Sequence, residues 1–198
     1  MTKPFVLGLT GSIGMGKSTT AQMFADAGIP VWDADATVHD LYTGDTPAVR
    51  QIADMIPEAV ENQTVNRETL KAFIVKDQTI LQKLEMIIQP LIAASRNNFI
   101  ATATSDIVII DHPLLLESRS DAYCDAILVV SVDAETQRDR VLSRGTMDAA
   151  TLDIILAKQM PDAEKRKRAD YIVETTTLDA ARAQVQTVIN QIREQLNA

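Results

Sequence analysis

Apolar residues fall along the chain in two kinds of pattern. Five short runs are almost unbroken: Phe5-Val-Leu-Gly-Leu-Thr10, Pro30-Val-Trp-Asp33, Asp106-Ile-Val-Ile-Ile-Asp111, Ala126-Ile-Leu-Val-Val-Ser-Val132 and Tyr171-Ile-Val-Glu174. Val, Ile and Leu without polar alternation fit strands covered on both faces, as in a parallel sheet. Elsewhere apolar residues recur every three or four positions. Leu178, Ala181, Val185, Val188, Ile192 and Leu196 mark a closing amphipathic helix, and Lys17 to Ala27 reads as a helix with Met23, Phe24 and Ala27 inward. Gly28 stands where a helix C-cap belongs. Strands alternating with helices predict βαβ units whose handed crossovers place helices on both faces, an α/β three-layer core.

Two intervals break the alternation. From about Ala36 to Ser105 the pattern is helical, as at Ile80, Leu84, Ile87, Ile88 and Leu91, with no convincing strand, which predicts an inserted helical subdomain. From about Thr136 to Arg168 there is again no strand, and eight basic residues face five acidic ones, a local charge of +3. The 198-residue chain carries −8 overall, so the remainder carries −11. That balance excludes a protein that coats nucleic acid or an anionic membrane, and any phosphate must be gripped locally. One cysteine, Cys124, and two histidines leave no thiolate cage or histidine-rich metal site. No apolar stretch is long enough to span a bilayer and no signal peptide is visible, so a soluble cytoplasmic protein is expected.

Gly11-Ser-Ile-Gly-Met-Gly-Lys-Ser18 fits G-x-x-x-x-G-K-[ST] without departure, between a strand and a helix. Its glycines let successive N–H groups turn toward a phosphate, the helix offers its positive end, Lys17 reaches the β- and γ-phosphates, and Ser18 can ligate Mg²⁺. The alternative, a chance glycine-rich turn, is disfavoured by the flanking elements. Ile107-Val-Ile-Ile-Asp111 looks like the strand ending in an acid that accompanies such a loop, with the carboxylate toward the Mg²⁺ shell, directly or through water; a turn-capping Asp is the other reading.

Asp33-Ala-Asp35 closes the second strand, at the end where open α/β sheets bind ligands. Strand alternation would point both carboxylates to one side, one to orient or deprotonate a hydroxyl, the other for substrate or a metal-bound water. Asp35 has a second reading, as N-cap of the helix through Val38 and Leu41. Arg138, Arg140 and Arg144 fall on one expected helix, with Arg140 and Arg144 on a shared face; a mobile segment bearing arginines can close on ATP and cancel charge on a transferred phosphoryl group. A solvated basic face is the alternative and is preferred for Arg138. Lys165 to Arg168 cannot all face one ligand and reads as a solvated helix face. His39 and His112 lie near the expected crevice, either in the site or in ordinary packing.

Taken together, Gly8-Leu-Thr-Gly-Ser-Ile-Gly-Met-Gly-Lys-Ser-Thr19, Val31-Trp-Asp-Ala-Asp35 with His39-Asp-Leu-Tyr42, and Asp111-His-Pro-Leu-Leu-Leu-Glu117 closely resemble the dephospho-coenzyme A kinase family. Gln137-Arg-Asp-Arg-Val-Leu-Ser-Arg144 and Gln159-Met-Pro-Asp-Ala-Glu-Lys-Arg166 resemble its lid. The resemblance implies a P-loop kinase core with a five-stranded parallel sheet (1–35, 106–135 and 169–198), a helical substrate-binding insertion (36–105) and a helical lid (136–168). It implies phosphoryl transfer from ATP, with Mg²⁺, to the ribose 3′-hydroxyl of dephospho-CoA. Lys17, Asp33 and Arg140 would be catalytic. Residues Gly11, Ser12, Ile13, Gly14, Met15, Gly16, Lys17, Ser18 and Thr19, with Arg140 and Arg144, would hold ATP; Ser18 and Asp111 the metal; Asp33, Asp35, His39, Leu114, Leu115 and Glu117 the substrate. A monomer or weak homo-oligomer is expected, with neither nucleic acid nor membrane as partner. This chain departs from the family at Gln89, where histidine is usual before proline, at His112, at Ser118-Arg119, and at Glu174-Thr-Thr-Thr177, where a glycine is usual. Another nucleotide or metabolite kinase, or a nucleotide-dependent switch, would carry the same phosphate loop.

Overall fold

The computed structural model describes residues 3–198. Five strands, β1 (Phe5–Thr10), β2 (Val31–Asp33), β5 (Ile107–Asp111), β6 (Ala126–Ser131) and β7 (Tyr171–Glu174), form one sheet in the order β2-β5-β1-β6-β7. Central β1 pairs in parallel with β5, Phe5 opposite Ile107, and with β6, Leu7 opposite Ala126; β6 pairs in parallel with β7. Consecutive residues Val6 and Leu7, Val108 and Ile109, and Leu128 and Val129 all have no exposed surface, so both sheet faces are covered and the unbroken apolar runs are explained. One face packs α1 (Lys17–Asp26), through Met23 and Phe24, and α9 (Leu178–Leu196), through Val185 and Ile189. The fold is the expected α/β core.

Local differences from the expected pattern have simple causes. The first helix stops at Asp26; Ala27 is an exposed C-cap, and Ile29, past the turn, fills the inward place. Asp106 lies before β5, where its carboxylate accepts from Arg193 Nε at 2.7 Å, and that bond holds it below the usual carboxylate range despite some burial. Arg138, Arg140 and Arg144 do not share a helix: α6 spans Ala134–Leu142, and Arg144 lies in the turn before α7 (Ala149–Lys158). Helix α8 follows at Asp162–Arg168.

The chain divides into two compact units, residues 1–32 with 102–198, and residues 33–101. Residues 136–168 group with the first. The second contains α2 (Ala34–Leu41), α3 (Pro47–Met55), α4 (Arg67–Lys76) and most of α5 (Thr79–Thr102). Its own core joins Val49 and Ile52 to Leu70, Leu84 and Ile88. Helix starts follow side-chain capping: Thr46 accepts from Val49 N before a proline at the first turn, and Asn66 accepts from both Glu68 N and Thr69 N. A small antiparallel hairpin, β3 (Val60–Glu61) and β4 (Thr64–Val65), interrupts this otherwise helical unit. Two-residue strands carry no readable alternation, and the turn uses Asn62 and Gln63 at φ +49° and +58° without a glycine to announce it. No helix among the described residues is long and apolar enough to cross a membrane.

Leu128 stands fully buried in β6, between the phosphate-loop strand and β7. Leu128→Ala is expected to cost about 2–5 kcal/mol in urea denaturation, because a close-packed sheet cannot collapse onto the lost volume.

Candidate active site

The loop from Gly11 to Gly16 joins β1 to α1. Gly14 and Gly16 adopt φ of +80° and +92°, the left-handed region. A side chain at Gly14 would also bring its Cβ within 2.6 Å of Val141 Cγ2 and 3.0 Å of the Gln137 carbonyl. Met15 turns inward and is 2% exposed, so the loop is moored to the core at its middle. Ile13 is held on both sides: Gln137 Nε2 donates to its carbonyl at 2.7 Å, and its N–H donates to Gln159 Oε1 at 3.1 Å.

Lys17 opens α1, and its Nζ lies 2.7 Å from Asp111 Oδ1 at the end of β5. The carboxylate is almost wholly enclosed. The register explains the meeting: Leu9 of β1 stands opposite Asp111, so the loop after β1 sets the first residue of α1 beside the end of β5. A cavity of about 310 Å³ lies over the loop, lined by its residues Gly11 to Gly14 and by Lys17, Ser18 and Thr19, and walled by Pro113, Arg144, Ile155 and Gln159. A neighbouring cavity of about 220 Å³ runs from Gly14 and Gly16 past Arg140 and Arg144 to Thr177 and Leu178. Arg140 donates from Nη1 to Thr175 Oγ1 at 3.0 Å and from Nη2 to the Thr175 carbonyl at 2.5 Å. Arg144, though outside the helix expected for it, lines both cavities. Arg138 is turned away, paired with Asp153 at 2.8 Å.

The segment after β5 differs from the expected arrangement. Leu115 is completely buried, filling the space above Gly8, and offers a ligand no surface; Leu114 is exposed. Glu117 turns inward to Lys165 Nζ at 3.0 Å and accepts the Met160 N–H at 2.8 Å. Lys165 is therefore no part of a solvated basic face: it is the one member of Lys165–Arg168 with no exposed surface. Burial raises the Glu117 pKa, but the Met160 amide and the Lys165 ammonium outweigh it and hold the carboxyl below its ordinary value. His112 Nδ1 accepts the Leu114 N–H at 3.1 Å.

In the second unit, Asp33 ends its strand and caps α2, accepting the Ala36 N–H at 2.9 Å. The strand stops there, so alternation does not extend to Asp35, which lies exposed in the first helical turn and is not the cap. His39 is exposed in the last turn of the same helix. Gln137, Gln159, Lys165 and Thr175 fall within the motifs or basic runs of the sequence, but no sequence pattern predicts a role for any of them in the site. Glutamines and threonines carry no periodic signal, and a buried lysine inside a run of four basic residues looks like surface.

The family model for dephospho-CoA kinase matches residues 5–180. The chain belongs to the dephospho-CoA kinase family. A dephospho-CoA kinase of Cereibacter sphaeroides is 52% identical over 99% of this chain and all of its own length. One of Ruegeria pomeroyi is 50% identical over 96% of each. The crystal structure of a Thermus thermophilus protein superposes with a TM-score of 0.81 at 26% identity, covering 96% of this chain and 98% of its own. An Acinetobacter baumannii shikimate kinase, at 16% identity and a TM-score of 0.54 over 97% of this chain and 94% of its own, shares the fold alone.

Because the folded Glu117 carboxyl titrates below its ordinary pKa of 4.5, its charge favours the folded state at every pH above that value, and the contribution is lost as pH falls through the lower folded-state value. The stability difference between the unsubstituted protein and Glu117→Gln, followed by urea denaturation, is expected to be constant near neutrality and to shrink below about pH 4.5.

Proposed function

We propose that the chain transfers the γ-phosphoryl group of ATP to the ribose 3′-hydroxyl of dephospho-CoA, giving CoA and ADP, the last step of coenzyme A synthesis. The observation that carries this reading is the buried Lys17–Asp111 pair beneath a glycine-lined cavity, in a chain whose relatives match it over nearly its whole length. Loop amides and Lys17 hold the phosphates. Arg140, with Arg144 beside it, faces the charge that develops on the transferred group, and the surrounding walls limit water.

Ser18 hydroxyl and Asp111 carboxylate are hard oxygen donors, the type Mg²⁺ takes together with phosphate oxygens, and these two would hold it. When bound, Mg²⁺ would neutralise charge on the phosphates. Lys17 can turn from Asp111 to a phosphate oxygen without being left as a buried charge alone, since each partner gains an opposite charge in exchange.

Asp33 orients the acceptor hydroxyl and takes its proton, and Asp35, His39 and Leu114 contact the acceptor, which the helical unit at 33–101 receives. Leu115 and Glu117 act from behind, through packing and through Lys165. The enzyme works in the cytoplasm as a monomer or weak homo-oligomer on a small molecule.

A coupled ADP-release assay offering dephospho-CoA, AMP, dTMP or shikimate is expected to show turnover with dephospho-CoA; turnover with a different acceptor alone would overturn the assignment. Asp33→Asn is expected to lower kcat by roughly 10²- to 10⁴-fold while ATP binding survives. Lys17→Ala should impair both ATP binding and turnover.

A further inference from the structure

Thr175 directly follows β7, and its side chain is almost wholly buried between the phosphate loop and Arg140 of α6. Its N–H donates to the Ser131 carbonyl at 2.9 Å, which anchors the backbone to the end of β6. Its Oγ1 lies 2.7 Å from the Met15 carbonyl and 3.0 Å from Arg140 Nη1. Proton count fixes the direction of both bonds. A guanidinium only donates and a carbonyl only accepts, so the hydroxyl accepts from Arg140 and gives its single hydrogen to Met15. The Ser131 carbonyl, at 3.5 Å, is the more distant acceptor for that hydrogen. The Thr175 carbonyl then takes Arg140 Nη2, so one residue holds two nitrogens of the same guanidinium. The fit is close: a Cβ on Gly16 would stand 3.1 Å from Thr175 Oγ1.

We propose that Thr175 is a positioning residue for nucleotide binding, one that fixes the Arg140 guanidinium against the loop peptide at Met15. The inference rests on the reading of Arg140 as a contact for ATP. A free arginine side chain samples many rotamers and would have to be ordered as the nucleotide arrives. Here the ordering is already done by a neutral residue, which leaves the positive charge uncancelled and facing the cavity that Arg140 lines with Gly14, Gly16 and Thr19. An acidic partner would hold the arginine as firmly but neutralise it. Arg138 shows the contrast two residues earlier, bound to Asp153 and withdrawn from the cavity.

The test uses the full chain and reads Mg·ATP affinity by calorimetry without any acceptor, beside steady-state kinetics and thermal unfolding. Thr175→Val keeps the shape and removes the hydroxyl. It is expected to weaken ATP binding about ten-fold, the loss typical of a hydrogen bond to a charged group, with KM for dephospho-CoA unchanged. Thr175→Ser should restore affinity to within about two-fold, since the hydroxyl returns. In an Arg140→Ala background Thr175→Val should cost much less, because the partner it acts through is gone. Should Thr175→Val fail to fold, Thr175→Ala serves in its place. Unchanged ATP affinity in Thr175→Val, or the same loss with and without Arg140, would overturn the inference. If ATP binding follows the expected pattern but dephospho-CoA is not phosphorylated, the proposed reaction fails and the role of Thr175 stands.

Discussion

A lysine and an aspartate 2.7 Å apart, with scarcely any solvent around the carboxylate, set the terms for the rest of this molecule. Neither charge could be enclosed alone, because desolvating an isolated ion costs several kcal/mol. Together they tie the start of α1 to the end of β5 and so fix the loop between β1 and α1 from one side. Other bonds complete the mooring: Met15 in the core, Gln137 and Gln159 around Ile13, and Thr175 at the Met15 carbonyl. Two of the loop's own N–H groups serve in that anchoring, Ile13 to Gln159 and Met15 to the Ser12 carbonyl, and the loop opens to the cavity on its other side.

The second charged pair does comparable work further out. Glu117 and Lys165 join the segment after β5 to α8, while the Met160 amide bonds to the same carboxylate and brings Gln159 to the loop. Beside the buried side chains of Val141 and Leu152, these polar contacts help hold the helices that carry Arg140 and precede Gln159.

Some of this is legible in the sequence. The strands were readable because burial on both faces leaves unbroken apolar runs, and the phosphate loop because its chemistry needs fixed residue types at fixed spacing within eight positions. The alternation expected across residues 33–35 stops at Asp33, which is both strand end and helix cap. The hairpin at 60–65 was invisible for lack of length. Lys165 is hidden by its neighbours: three exposed or half-exposed basic residues follow it, and its partner, 48 positions earlier, distinguishes it. Net charge was instructive in the same way. A total of −8 describes the surface, whereas the cavities are lined by Lys17, Arg140, Arg144 and backbone amides.

The strand order carries a consequence for synthesis. Both neighbours of β1, which emerges first, are encoded late: Phe5 meets Ile107, and Leu7 meets Ala126. At about 5–20 residues per second a ribosome needs on the order of 5–20 s to supply the intervening hundred or so residues. During that time the apolar run Val6 to Leu9 has no partner strand, while residues 33–101 are already complete and hold a core of their own. The unit inserted in the middle of the sequence is therefore free to fold before the sheet that flanks it, and the central strand is the part of the nascent chain most in need of protection.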